Sequence, residues 1–322
     1  MPHDHAPYHA DIAPDRPEAR AYWVRASDGL RLRIAHFAAA QPRGAVLLFP
    51  GRTEYVEKYS ETAAAFCARG YDVLVIDWRG QGLADRMLED PRTGHVQVFE
   101  DYQKDVAAMT GLARDLDLPR PWHLLAHSMG GCIGLRAVMD GLDVASCVFT
   151  GPMWGIRIAA PVRPAAWALS WSSKQVGLGH MLAPGTRIES MLVTDAFDDN
   201  TLTRDRAQWD QMRAQILARP ELQLGGPSLQ WLHEALAECR DLARRPAPQV
   251  PCLCYLGENE RIVDTQRIHD RMASWPGGRL DLIDGAEHEI LMELPEVRSR
   301  VLAEAVALFD RSVPRTHSRN AC

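Results

Sequence analysis

Apolar residues come in short unbroken runs along most of this chain, and each run stops at a glycine, a proline or a polar turn. Residues 45–49 (AVLLF), 72–77 (DVLVID), 123–127 (HLLAH) and 145–150 (ASCVFT) are such runs. Continuous runs of this length predict strands buried on both faces of a parallel sheet. Residues 22–25 and 30–37 predict two further strands around a Ser27-Asp28-Gly29 turn, since an Asp-Gly pair favours the tight hairpin geometry. Between the runs the apolar period changes from continuous to helical. Residues 55–69 predict a helix closed by Gly70. Phe99, Tyr102, Val106, Met109, Leu112 and Leu116 lie on one helical face, and Pro119 and Pro121 end that segment. A helix running to Asp140 and capped by Gly141 follows the 123–127 run.

The rhythm breaks after Gly151-Pro152. Residues 152–246 contain no strand-like run and carry Trp154, Trp167, Trp171, Trp209 and Trp231, five of the nine tryptophans. They predict a helical insertion, each indole expected first as its core and the insertion as a whole as a lid with a hydrophobic acyl site. Strand patterns resume at 250–256 and 280–283, and an amphipathic helix covers 295–309. Strand–helix alternation of this kind predicts an α/β fold, a mostly parallel central sheet with helices on both faces. The expected organisation is a flexible leader (1–20), a first core part (21–151), a helical cap (152–246), a second core part (247–311) and a flexible tail (312–322).

Composition narrows the functional classes. The 322 residues are 46% hydrophobic and 24% charged with a net charge of −6, ordinary for a chain that folds around a large core. The acidic balance and the lack of a basic cluster argue against a nucleic-acid partner. No run reaches the ~18 apolar residues of a membrane-spanning helix. The start lacks the basic and apolar regions of a signal peptide. The seven cysteines are scattered, with Cys252 and Cys254 expected on one strand face as reduced packing residues, so a cytoplasmic setting is expected. His3, His5 and His9 form no ligand cluster, and no metal or cofactor is expected.

The chemistry sits where the strands end, which is where ligands meet open α/β sheets. Leu124-Leu125-Ala126-His127-Ser128-Met129-Gly130-Gly131 is a strand running into a serine flanked by small residues, the pattern of a nucleophile elbow. Pro50-Gly51-Arg52 follows an earlier strand, Gly257-Glu258-Asn259-Glu260 a later one, and Gly285-Ala286-Glu287-His288 the last. The order is oxyanion loop, serine, acid, histidine. Ser128 is therefore the expected nucleophile and His288 its base, with the backbone N–H groups of Arg52 and Met129 as oxyanion donors. Glu260 is preferred as the acid over Asp264, and Glu258 is expected to be solvated. His127 and His95 read as packing and hydrogen-bonding histidines, and Arg79 as a structural loop residue.

These motifs, together with Asp77-Trp78-Arg79-Gly80-Gln81-Gly82, Gly94-His95-Val96 and Gly225-Gly226-Pro227, resemble the bacterial lysophospholipase and monoacylglycerol lipase branch of the α/β-hydrolases. The resemblance implies an α/β-hydrolase fold and a serine hydrolase cleaving single-chain acyl esters of glycerol or glycerophospholipid. It places the nucleophile at Ser128, the acid at Glu260 and the base at His288. Two positions depart from the monoacylglycerol lipase pattern: Pro50 stands where those enzymes have His, and Glu260 where they have Asp. The expected partner is a small lipid ester, with passing contact between the cap and a membrane surface. Nothing in the sequence sets an oligomeric state. The competing readings are a proline-aminopeptidase-like peptidase, in which Glu189 or Asp195 would bind a free amine, a general short-chain esterase, and a non-catalytic ligand-binding relative.

Overall fold

The computed structural model describes residues 3–13 and 18–312. In chain order the elements of the first core part are β1 (Asp4–Ala6), β2 (Ala19–Arg25), β3 (Arg31–Phe37), β4 (Ala45–Phe49), α1 (Ser60–Cys67), β5 (Asp72–Asp77), α2 (Asp101–Asp115), β6 (Trp122–His127), α3 (Ser128–Met139) and β7 (Ser146–Thr150). The insertion holds α4 (Arg163–Gln175), the single turn α5 (Met191–Thr194), α6 (Arg206–Ala218) and α7 (Leu229–Leu242). The chain then returns through β8 (Cys252–Gly257), α8 (Thr265–Ala273), β9 (Gly278–Ile283) and α9 (Pro295–Arg311).

One sheet of nine strands, ordered β1-β2-β3-β5-β4-β6-β7-β8-β9, organises the molecule. The first three strands run antiparallel, and β5 onward is parallel. Every residue of β4, β5, β6, β7 and β8 is buried, which is why these segments read as unbroken apolar runs. Alternate residues feed two cores. Leu47, Leu74, Leu124, Cys252 and Cys254 pack under α2, α3 and α8, while Val46, Val75, Leu125 and Tyr255 pack under α1 and α9. Each fully buried aliphatic or aromatic side chain contributes about 1.5–3 kcal/mol.

Several elements differ from the sequence reading. Residues 4–6, expected as part of a flexible leader, add an edge strand to β2. Polar contacts hold this segment: the buried Arg33 donates to the Pro7 carbonyl at 3.0 Å, and the His9 N–H donates to Glu57 at 3.0 Å. The helix expected over 55–69 is a tight 3₁₀ turn at Val56–Tyr59 followed by the shorter α1. The cap expected from residue 152 leaves the core later. Trp154 stacks on Trp275 at 6.0 Å and donates to the Gly131 carbonyl at 3.1 Å, and Arg157 still hydrogen-bonds Ile262. Trp154, Trp209 and Trp231 are buried, whereas Trp171 on α4 is 56% exposed. The tail expected at 312–322 lies almost wholly outside the described residues.

Candidate active site

The nucleophile candidate sits at a backbone kink. His127 ends β6 in extended conformation, and Ser128 turns to a left-handed φ of +50° as α3 begins. That angle is strained for a residue with a side chain. The kink brings α3 close against β4, and a Cβ at Gly130 would strike the carbonyl oxygens of Phe49 and Pro50. Ala126 is tolerated in the other small position because it packs toward Gly134.

His288 Nε2 lies 2.9 Å from Ser128 Oγ, and His288 Nδ1 lies 2.6 Å from Glu260 Oε2. All three residues are buried or nearly so. The partners set the tautomer: Nδ1–H donates to the carboxylate, leaving Nε2 to accept the serine proton. The other oxygen of Glu260 accepts the Ile262 and Val263 N–H groups at 2.6 and 3.1 Å, so the carboxylate cannot swing away freely. Gly151, just past β7, lies under the imidazole, where a Cβ would press on His288. The cap also holds the histidine loop: His288 and Glu289 donate their N–H groups to the carbonyls of Thr201 and Leu202. Burial disfavours the charged imidazolium, but the Glu260 carboxylate outweighs it and raises the His288 pKa above the ordinary value.

The oxyanion loop is braced from below. The Trp78 indole donates to the Pro50 carbonyl at 2.9 Å, and the Gln81 amide donates to the carbonyls of Gly51 and Glu54 at 2.8 and 3.0 Å. Glu54 accepts the Gly51 N–H, and Thr53 takes a left-handed φ of +70°. The Arg52 N–H donates to no acceptor among the described residues. The Met129 N–H lies in the first turn of α3, where helices leave N–H groups unpaired.

Beneath this loop lies a buried ionic cluster that sequence reading did not single out. Lys58 Nζ stands 2.7 Å from Glu54 Oε1 and 2.7 Å from Glu289 Oε2. Tyr59 donates its hydroxyl to Glu54 at 2.6 Å. Glu54, His127 and Glu289 lie close enough together to hold a metal ion, but the ammonium of Lys58 already supplies a cation between the two carboxylates. His127 is bound to Thr150 through Nδ1 at 2.8 Å, and burial pushes its pKa down to about 4, so it stays neutral.

Other candidates fall elsewhere. Asp264 pairs with Arg163 at 3.3 Å on the surface and makes no contact with His288 among the described residues. Glu258 is exposed and accepts the Gly285 N–H. His95 bonds Ser228 at 2.8 Å, and Arg79 is clamped by Asp105 and Asp28.

The family of α/β-hydrolases described as serine aminopeptidase, S33, matches residues 40–295. This chain belongs to it. Within the α/β-hydrolases it is 36% identical over 297 residues to lysophospholipase L2 of Escherichia coli, covering 88% of this chain and 85% of that one. It is 31% identical to the probable lysophospholipase L2 of Haemophilus influenzae, covering 84% and 86%. The fold matches a soluble variant of the monoglyceride lipase of Saccharomyces cerevisiae, solved with a substrate analog. That match has a TM-score of 0.71 at 20% identity, over 95% of this chain and 99% of that one. The monoacylglycerol lipase of Paleococcus ferrophilus superposes with a TM-score of 0.67 at 18% identity, over 87% and 98%.

Proposed function

We propose that this α/β-hydrolase is a carboxylic-ester hydrolase that releases a fatty acid from lysophospholipid or monoacylglycerol, with Ser128 as nucleophile. One observation carries the reading: an unbroken hydrogen-bonded line from Ser128 Oγ through the His288 imidazole to Glu260. Similarity to two lysophospholipases across more than four-fifths of the chain supports the substrate class.

His288 takes the Ser128 proton as Oγ attacks the ester carbonyl, and Glu260 stabilises the imidazolium that forms. The backbone N–H groups of Arg52 and Met129 receive the developing oxyanion. The C–O bond to the glyceryl oxygen breaks, and that oxygen leaves with the proton from His288. Water, deprotonated by the same imidazole, then attacks the acyl carbonyl; the acyl–Oγ bond breaks, Ser128 recovers the proton from His288, and fatty acid departs.

The family's description raises a peptidase alternative, which would need an unpaired cap carboxylate for a substrate amine. Asp195 instead pairs with Arg187 at 2.8 Å, and Glu189 is half exposed and 3.9 Å from Arg92. Acyl esters therefore fit better.

No helix among the described residues is long and apolar enough to cross a membrane. Contact of the cap with a membrane surface is supported by Val162, Leu169, Trp171, Val176, Leu178 and Met181, all exposed on or beside α4. Residues 144–188 include no acid that would oppose such contact. The free cysteines fit a reducing, cytoplasmic compartment.

The deciding experiment measures fatty-acid release from lysophosphatidylcholine, lysophosphatidylethanolamine and a monoacylglycerol, and amine release from an aminoacyl amide. Turnover of the first three and not the last is expected. Cleavage of the amide alone would overturn the ester reading.

A further inference from the structure

The side chain of Arg52 has no role in the chemistry just derived, which uses only its backbone. Its surroundings differ from those of several other buried and half-buried arginines. Arg33 lies between Glu57 and Asp77, Arg79 is clamped by Asp105 and Asp28, and Arg136 is bidentate on Glu238. Two more lack a carboxylate but are satisfied by backbone. Arg86 donates to the carbonyls of Gly80, Pro91, Gly82 and Glu221, and Arg271 to those of Arg245 and Leu242.

Arg52 has neither kind of shell. Its Nη1 donates to one carbonyl, that of Gly225, at 2.6 Å. Its guanidinium lies 5.5 Å from the centre of the Trp231 ring. Among the described residues no carboxylate forms an ion pair with it, and Nε and Nη2 have no acceptor. Arg52 is half-buried rather than sealed from solvent. The titratable group acting on it is the phenol of Tyr102, held neutral by burial. Desolvation lowers the Arg52 pKa to about 10, so it stays charged at neutral pH. A partly desolvated cation with unused planar donors and no internal counterion is stabilised by an anion with matching oxygens.

The position selects the anion. Arg52 stands at the oxyanion loop, and its side chain spans from that loop to the cap segment at Gly225. Gly225 is itself fixed by its N–H to the Arg92 carbonyl at 2.7 Å, and Gly226 accepts the Gly94 N–H at 3.0 Å. A substrate with its ester carbonyl on the Arg52 N–H carries a hydroxyl on the neighbouring glycerol carbon in either class, and the two classes differ at the third carbon. In a lysophospholipid that carbon bears a phosphodiester, whereas in a monoacylglycerol it bears a neutral hydroxyl. A guanidinium can bind the two free phosphate oxygens side by side.

We propose that the Arg52 guanidinium binds the phosphodiester of the substrate and makes this enzyme prefer lysophospholipid to monoacylglycerol. The inference rests on the ester-hydrolase reading above and deepens it. If Arg52 only clamped the Gly225 loop, its loss would affect both substrates alike.

The test compares kcat/KM for a short-chain lysophosphatidylcholine and a monoacylglycerol of the same acyl chain, both presented as monomers. The full chain and its Arg52→Gln and Arg52→Lys variants are assayed. Arg52→Gln should lower the lysophospholipid-to-monoacylglycerol ratio by about tenfold or more, mainly through KM. Arg52→Lys should restore part of that ratio, because it keeps the charge and loses the two-point fork. A thermal melt followed by circular dichroism reports whether each variant has folded, and the ratio cancels any change common to both substrates. An unchanged ratio, or a parent enzyme that hydrolyses monoacylglycerol alone, overturns the phosphate role and leaves the hydrolase reading intact. A parent that cleaves neither ester removes the hydrolase reading, and this inference with it.

Discussion

Lys58 Nζ lies 2.7 Å from Glu289, the residue that directly follows His288. Its second contact at 2.7 Å is to Glu54, whose other oxygen accepts the Gly51 N–H of the oxyanion loop. One ammonium thus links the His288 loop to the Gly51–Arg52 loop. Burial favours neutral forms here, yet Lys58 is held charged by both carboxylates. Lys58→Met should destabilise the protein by about 3–5 kcal/mol, because it leaves two facing buried acids without a cation. A denaturant melt checks this, and a loss below about 1 kcal/mol would show that the acids find another partner.

The raised pKa of His288 fixes the sign of the pH response. As general base the imidazole must be neutral, so kcat/KM rises as pH increases through its pKa. The Glu260 carboxylate holds that pKa up against burial, with smaller pulls from Glu289 and Glu54. The acid limb should therefore have its midpoint above the ordinary histidine value of about 6.5. The same shift stabilises the fold at low pH and is lost as pH rises through the folded value. Rate profiles across the neutral range decide the matter. A midpoint well below 6.5 contradicts the assigned couple.

Triad substitutions separate the two acid candidates. Ser128→Ala should cost on the order of 10⁶ in turnover number, and Glu260→Ala on the order of 10⁴. Asp264→Ala should stay within a few-fold of the parent, since Asp264 contacts Arg163 rather than His288. If Asp264→Ala proves as damaging as Glu260→Ala, the acid has been misassigned.

Surface substitutions on the cap should divide interfacial from monomeric turnover. Trp171 and Val176 are 56% and 68% exposed. Replacing both with aspartate should weaken co-sedimentation with phospholipid vesicles and slow hydrolysis of vesicle-borne substrate. Hydrolysis of a water-soluble p-nitrophenyl ester should change little. Equal binding by parent and variant would exclude this face as the contact.

Much of this architecture was legible in the sequence because its strongest signals are local. The strands β4 to β8 are buried on both faces, so their runs are unbroken and end where loops carry the chemistry. Ser128 follows such a run, whereas His288 follows the half-exposed edge strand β9. The sequence favours Glu260 over Asp264, and the structure hydrogen-bonds Glu260 to the imidazole. What escaped depends on distant contacts. Asp4–Ala6 has no strand-like hydrophobicity, and its segment is held by Arg33 reaching Pro7. Lys58 and Glu289 look like ordinary surface charges until the fold buries them together. Trp78 and Gln81 stand in a recognisable motif, but their hold on the Pro50 and Gly51 carbonyls exists only in three dimensions.

Neighbouring strands β7 and β8 pair Val148 with Leu253, although the whole cap intervenes between them. The sheet meets that long excursion as a single loop that leaves and returns at adjacent points. Lengthening such a loop costs little closure entropy, about 0.6 kcal/mol per doubling. Selection can therefore trade, enlarge or recast this insertion while the sheet stays in register, so differences in length and sequence among relatives should concentrate between these two strands.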